Sequence, residues 1–199
     1  INFEIKGNRF TDSDVILSLI KDKPTNIDEE FSNYIINTLN SSYLFSKVTV
    51  KLVDNKYIIS VEEFPNINKI YFRNNERLED NELNLIALET NLINLNLRSI
   101  NLFINETKKI YQTFGYNNVN ISFTEKFYKD TNTADLYFDI DEGSITKINR
   151  IIINGNEKIS NNDIKEIIIS KTKSIRNIFA NNNFKLSLLD RDKNLISNY

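Results

Sequence analysis

The 199-residue chain contains no histidine and no cysteine. It therefore cannot build a Ser/His/Asp triad, a cysteine nucleophile, a disulfide or an ordinary zinc site. The commonest catalytic toolkits are excluded, but the redox compartment is not, because a cysteine-free chain suits an oxidising space as well as a reducing one. Long apolar runs are also missing: no stretch approaches the roughly 18 residues that a membrane-spanning helix needs. The chain opens on Ile1 without the basic, apolar and small-residue pattern of a signal peptide, so any targeting segment is expected to have been removed. Hydrophobic residues make up 40% and charged residues 26%, too apolar for disorder and too polar for a helical membrane protein.

A strongly basic surface is absent as well. Lys and Arg against Asp and Glu give nets of −3 for residues 1–65, −4 for 66–143 and +5 for 144–199. The last segment has no dense Lys/Arg run and reads as a solvated helix face. A mildly acidic body argues against a phosphate-backbone partner, so no nucleic acid is expected.

What the sequence does carry is a repeat. An apolar strand runs into a Gly/Asn turn and then a helix start three times: Ile5-Lys6-Gly7-Asn8, Phe72-Arg73-Asn74-Asn75 and Ile153-Asn154-Gly155-Asn156. The strands read as the alternating sets Ile1, Phe3, Ile5; Ile67, Ile70, Phe72; and Ile148, Ile151, Ile153. Capping-box pairs follow at Thr11 with Asp14, Glu79 with Glu82, and Ser160 with Asp163. Helical spacing then buries Val15, Ile16, Leu19 and Ile20; Leu83, Ile86 and Ala87; and Ile164, Ile167 and Ile168. A second helix carries Phe31, Tyr34, Ile35 and Leu39 in the first unit, and Ile100, Phe103, Ile104, Ile110 and Tyr111 in the second, ending at Gly115.

After each helix pair come two strands joined by a turn, at Asp54-Asn55-Lys56 and again over residues 129–132. The fold class is α+β: tandem β-α-α-β-β units, each a three-stranded mixed sheet covered on one face by two helices. A right-handed crossover makes strand three central, parallel to strand one, and leaves strand two on an edge. The expected domains are residues 1–65, 66–143 and a truncated third unit, 144–199, with its first strand and helices only. Each core is small, so neighbouring units are expected to steady one another.

In its order of motifs the array resembles the polypeptide-transport-associated (POTRA) domains of the outer-membrane protein assembly factor BamA and its relatives. The matching pieces are Gly7-Asn8 and Gly155-Asn156, Tyr111-x-x-x-Gly115-Tyr116, Phe45-x-x-Val48, Glu63-x-Pro65 and Glu142-Gly143. Asn74 stands where the second unit should carry a turn glycine, a mild departure because Asn tolerates the left-handed conformation. Ser42 stands where a glycine usually precedes the Phe45 strand entry. Unit three reaches Tyr199, which aligns with Tyr111, and the natural protein is expected to continue through further units into a membrane β-barrel.

The resemblance implies a non-enzymatic scaffold and chaperone-like module in the periplasm of a Gram-negative bacterium, part of an outer-membrane protein. Its partners would be unfolded outer-membrane protein clients and accessory assembly proteins, with membrane contact only through the downstream barrel. Strand addition to an exposed edge suits such clients, since main-chain bonds demand little of sequence. The candidate peptide-binding residues are Lys47, Val48, Thr49, Val50, Lys51 and Leu52 on one edge, and Asn118, Val119, Asn120, Ile121, Ser122, Phe123 and Thr124 on the other. A passive edge guarded by Lys47, Lys51, Glu125 and Lys126 is the plain alternative. Expected hinges lie at Phe64, Pro65 and Asn66, and at Gly143 and Ser144, where few residues connect consecutive sheets. The strand at 148–154, left without its partners, is expected to pair with a second-strand edge of another molecule.

No cofactor and no metal site is implied. Asp139, Asp141 and Glu142 alternate at a strand end without the glycine and ligand series of a calcium loop. Glu62 and Glu63 fall on opposite sheet faces, which bars joint acid/base work. Phe45, Tyr111 and Phe114 sit at core positions. A two-partner secretion transporter, a translocation-and-assembly protein or an organellar import channel would share the same units. From another class, a KH-like nucleic-acid module has a β-α-α-β-β core, but the Gly-x-x-Gly loop that it needs is absent.

Overall fold

The computed structural model describes residues 2–22, 28–173 and 181–199. Ile1, expected to begin the first strand, lies outside the described residues. The first repeat runs β1 (Asn2–Lys6), α1 (Ser13–Leu19), α2 (Glu29–Ser41), β2 (Phe45–Val53) and β3 (Lys56–Glu63). The second runs β4 (Asn66–Arg73), α3 (Asp80–Glu89), α4 (Leu97–Phe114), β5 (Asn120–Tyr128) and β6 (Thr133–Asp141). Two further helices follow, α5 (Asn161–Ile167) and α6 (Leu186–Ser197). The strands form two three-stranded mixed sheets in the orders β1-β3-β2 and β4-β6-β5, so the third strand of each complete repeat is central.

In the first sheet β1 lies parallel to β3, Phe3 opposite Tyr57 and Ile5 opposite Ile59. Antiparallel β2 sets Val48 opposite Val61 and Val50 opposite Ile59, with a bulge between Phe45 and Lys47. Asp54 (φ 47°) and Asn55 (φ 60°) take the left-handed conformation that a two-residue hairpin turn requires. Tyr57, Ile59 and Val61 alternate into a core with Ile16, Ile35, Leu39 and Phe45. Phe31 packs edge-on to Tyr57 with ring centroids 5.4 Å apart, and the Tyr57 hydroxyl donates to the Asp28 carbonyl and accepts from the Asp28 N–H. The second sheet repeats this arrangement through Leu136, Phe138 and Ile140, all buried. Phe138 meets Phe103 at 4.7 Å and Phe72 at 5.9 Å.

By contacts the chain groups into two compact units. One comprises Ile1–Lys69, Asn91–Ile100 and Glu125–Leu136; the other comprises Ile70–Thr90, Asn101–Thr124 and Tyr137–Tyr199. Within the first, the loop before α4 and the end of the β5–β6 hairpin join the first repeat, so this grouping cuts across the sequence period.

The local signals differ in detail. At α1 the N-cap is Asp12 rather than Thr11, and it makes no side-chain cap; the Thr11 N–H instead donates to Glu63. With the helix starting later, Val15 turns outward and is 47% exposed. The other two caps form: the Glu79 N–H donates to Glu82 at 2.9 Å, and Ser160 accepts from the Asp163 N–H at 3.2 Å. Phe114 is only half-buried, with the Arg77 guanidinium 3.5 Å from its ring centroid. The expected strand at 148–154 forms no ladder. Its beginning is tied by the isolated Lys147–Asn183 bridge and by the Asn182 side-chain amide, which donates to the Ile148 carbonyl at 3.3 Å; no hairpin of a third repeat lies among the described residues to pair with the rest.

Candidate functional site

The sheet orders put β2 and β5 on edges, each with a strand neighbour on one side only. Of the candidate residues, Lys47, Val48, Thr49, Val50, Lys51 and Leu52 all lie in β2. Asn120, Ile121, Ser122, Phe123 and Thr124 lie in β5, whereas Asn118 and Val119 precede it. Val48 and Ile121 point into the cores; Thr49, Lys51, Ser122 and Thr124 are exposed. The core-facing residues fix the register of each edge strand. Lys47 reaches Glu62 on the neighbouring strand at 3.7 Å, and the Ser46 hydroxyl at the bulge donates to the Glu62 carbonyl. Lys126 sits 5.2 Å from the Tyr128 ring centroid. Charge and a bulge at the start of the edge are the devices that keep an edge strand from pairing indiscriminately.

The strands leave the two sheets through ordered joints. In the first compact unit, the Phe64 N–H donates to the Leu44 carbonyl, Asn66 N–H to Asn132, Ile67 N–H to Ile93 and Leu95 N–H to Pro65. Asn94, 3% exposed, donates from its amide to the Tyr43 carbonyl at 2.7 Å, and the Arg98 guanidinium lies 4.5 Å from the Tyr43 ring centroid. The expected hinge residues Phe64, Pro65 and Asn66 are thus each hydrogen-bonded through the main chain. In the second unit the same construction recurs: Thr146 N–H to Gly115, Ile148 N–H to Asn182 and Phe184 N–H to Thr146. Gly143 has φ 63°, and its N–H donates to Asp141 at 3.1 Å. Sequence reading missed Tyr43, between α2 and β2, Asn94, just before α4, and Arg98, in the first turn of α4; they lie in three separate places and no local signal links them.

The acidic residues have separate structural posts. Asp139 accepts from Asn74, and Glu142 from the Arg77 N–H and the Tyr111 hydroxyl. Asp135 accepts from Asn68 and Tyr128, which hold its carboxyl below the usual range. Burial and the Glu142 hydrogen bond push the Tyr111 hydroxyl well above its ordinary value of 10.0. Among the described residues no three acidic side chains gather as a metal site, and no helix is long and apolar enough to cross a membrane.

No protein-family model and no curated protein sequence matches the chain. Solved structures do. The N-terminal domain of Omp85 from the thermophilic cyanobacterium Thermosynechococcus elongatus is similar at a TM-score of 0.51 and 13% identity, over 99% of this chain and 83% of that one. POTRA domains 3–5 of Haemophilus influenzae BamA match at 0.47 and 14% identity, over 99% and 84%. CdiB from Acinetobacter baumannii matches at 0.37 and 16%, over 70% and 28%. Repeated β-α-α-β-β units with the second strand on an edge define a class of tandem sheet-and-helix modules. Within that class the chain has the fold of tandem POTRA domains, as in the N-terminal domain of Omp85.

Proposed function

We propose that the chain is the periplasmic scaffold of an outer-membrane β-barrel assembly protein in a Gram-negative bacterium, and that it holds unfolded client strands and accessory proteins by strand addition along β2 and β5. Residues 1–65, 66–143 and 144–199 act as successive units, and the reading needs no catalytic group. The observation that carries it is the edge position of the second strand in both sheets, with small or polar residues facing outward. An incoming strand would gain main-chain hydrogen bonds without demanding a sequence, as a handler of many clients requires.

Adjacent residues of an edge strand send their N–H groups to opposite sides, so one of Thr49→Pro and Val50→Pro must remove an outward donor. A peptide copying one transmembrane strand of an outer-membrane barrel is titrated into isotope-labelled protein. The expected result is amide shifts along residues 47–52 or 120–124, lost in the outward-donor proline variant while the fold remains. Shifts elsewhere, or folded proline variants at both positions that bind unchanged, would overturn the assignment for β2.

A further inference from the structure

The two edge strands differ in charge. In the first sheet Phe3, Ile5, Tyr57, Ile59 and Val61 pack toward the helices. Strand alternation therefore sends Lys6, Lys47, Lys51 and Lys56 to the open face, with Glu4 and Glu62 as the acidic side chains of the three strands there. That face is basic although residues 1–65 as a whole are acidic by −3. Glu4 is taken by Lys6 at 3.2 Å and by Lys56 at 2.5 Å. Lys47 has Glu62 at 3.7 Å, a contact between two exposed side chains. Lys51 lies opposite the apolar Ile58 and has no hydrogen-bond or ion-pair partner among the described residues. The unbalanced charge thus runs along β2, the outermost strand, on residues four apart.

The core-facing side of the same edge is also incompletely covered. Val48 is buried, Val50 half-buried and Leu52 exposed, although the three stand opposite Val61, Ile59 and Tyr57 of the central strand. On β5 the outward residues Asn120, Ser122 and Thr124 carry no charge.

We infer that the β2 edge selects client strands with acidic side chains four residues apart on the open-face side and apolar residues on the other, Lys47 and Lys51 being the discriminating residues. This rests on the strand-addition reading of β2 and names the class of strand that the edge takes. Main-chain bonds supply affinity to any added strand, and the flanking side chains sort the strands that receive it. Side chains directly opposite on neighbouring strands lie about 5 Å apart, so a carboxylate set beside Lys51 meets an ammonium that no other group holds. A second carboxylate four residues along meets Lys47, whose exposed pair with Glu62 is cheaply exchanged. The apolar residues between them cover Val50 and Leu52. The spacing is symmetric, so the requirement is the same whichever way the strand runs. Lysines at the same two positions would face like charges, which disfavour pairing.

The probes are two acetylated and amidated peptides, Ser-Val-Glu-Val-Thr-Val-Glu-Val-Ser and the same sequence with both Glu replaced by Lys, titrated into the isotope-labelled 199-residue protein. The glutamate peptide is expected to shift amides along 47–52 and to bind there about tenfold more tightly than the lysine peptide, two attractive pairs replacing two repulsive ones. Raising the salt to about 0.5 M should shrink that difference to about twofold. At 120–124 the glutamate peptide should have no advantage. In the double variant Lys47→Gln and Lys51→Gln, which alters exposed side chains only, the two peptides should bind β2 alike. Equal affinities at 47–52 in the unaltered protein, a preference that survives the double variant, or the same preference at 120–124 would overturn the charge selection and leave strand addition standing. If neither peptide moves the amides of 47–52, strand addition at β2 falls and the inference falls with it.

Discussion

Glu142→Ala should destabilise the second repeat far more than its place at a strand end suggests. The side chain accepts from the Tyr111 hydroxyl at 2.8 Å and from the Arg77 N–H at 2.7 Å, and Tyr111 is 0% exposed. Truncation leaves both donors without their acceptor; the buried Tyr111 hydroxyl costs about 1–3 kcal/mol and the half-buried Arg77 N–H about 1 kcal/mol, so about 2–4 kcal/mol is expected in total. Against a domain stability of about 5–15 kcal/mol that is a large fraction. Tyr111→Phe removes one donor and leaves Arg77 bonded, at about 1 kcal/mol, so the double variant should fall short of additivity. The chain has no tryptophan, so urea unfolding is followed by far-ultraviolet circular dichroism, with amide exchange at Arg77 localising the effect. Titration gives a further arm. Because burial and Glu142 raise the Tyr111 pKa, the unfolded chain loses that proton first. The contribution is complete below about pH 10 and is lost as pH climbs above it, a slope that Tyr111→Phe should flatten. A Glu142→Ala loss below about 0.5 kcal/mol with unchanged Arg77 exchange would refute the reasoning.

Gly7→Ala forces a Cβ to within 2.2 Å of the Val61 carbonyl at φ 86°, and should cost about 2–4 kcal/mol, whereas Gly155→Ala at φ 83° meets open space and should cost about 1 kcal/mol in thermal melts. Thr107 is fully buried with an unpartnered hydroxyl, so the near-isosteric Thr107→Val should raise stability by about 1 kcal/mol in urea unfolding. Motion at Phe64, Pro65 and Asn66 requires breaking the joint's hydrogen bonds; Asn94→Ala should therefore speed amide exchange at Ile67 and Leu95, and unchanged exchange would show that the joint is held otherwise.

The fold was legible because its signals are local and repeated. The Asn turns, the alternating Tyr57-x-Ile59-x-Val61 run and the helical spacing of Leu83, Ile86 and Ala87 each state their own period. The edge position of β2 followed from handedness, since a parallel crossover from β1 must return beside β3. What escaped depends on residues far apart in sequence. Glu63 spends its carboxylate on N–H groups more than fifty positions away, which removed Thr11 as a cap, and nothing local marks that contact. The 148–154 segment has the composition of a strand, yet a ladder also needs a partner backbone. Tyr71 and Tyr137 stack at 4.8 Å, with the Arg73 guanidinium 5.6 Å from the Tyr137 ring centroid. Strand parity could have found that pair, because each tyrosine alternates with core residues, Ile70 and Phe72 or Leu136 and Phe138.

The claim that β2 and β5 receive client strands is tested most directly by placing a photo-crosslinking residue at Thr49 and at Ser122, both exposed on the edges, in the protein as its native cell makes it. Leu88, 76% exposed on α3, serves as an equally accessible apolar control. The account predicts adducts with unfolded outer-membrane barrel proteins at Thr49 and Ser122 and none at Leu88. Adducts of equal yield at all three positions, or at Leu88 alone, would contradict it.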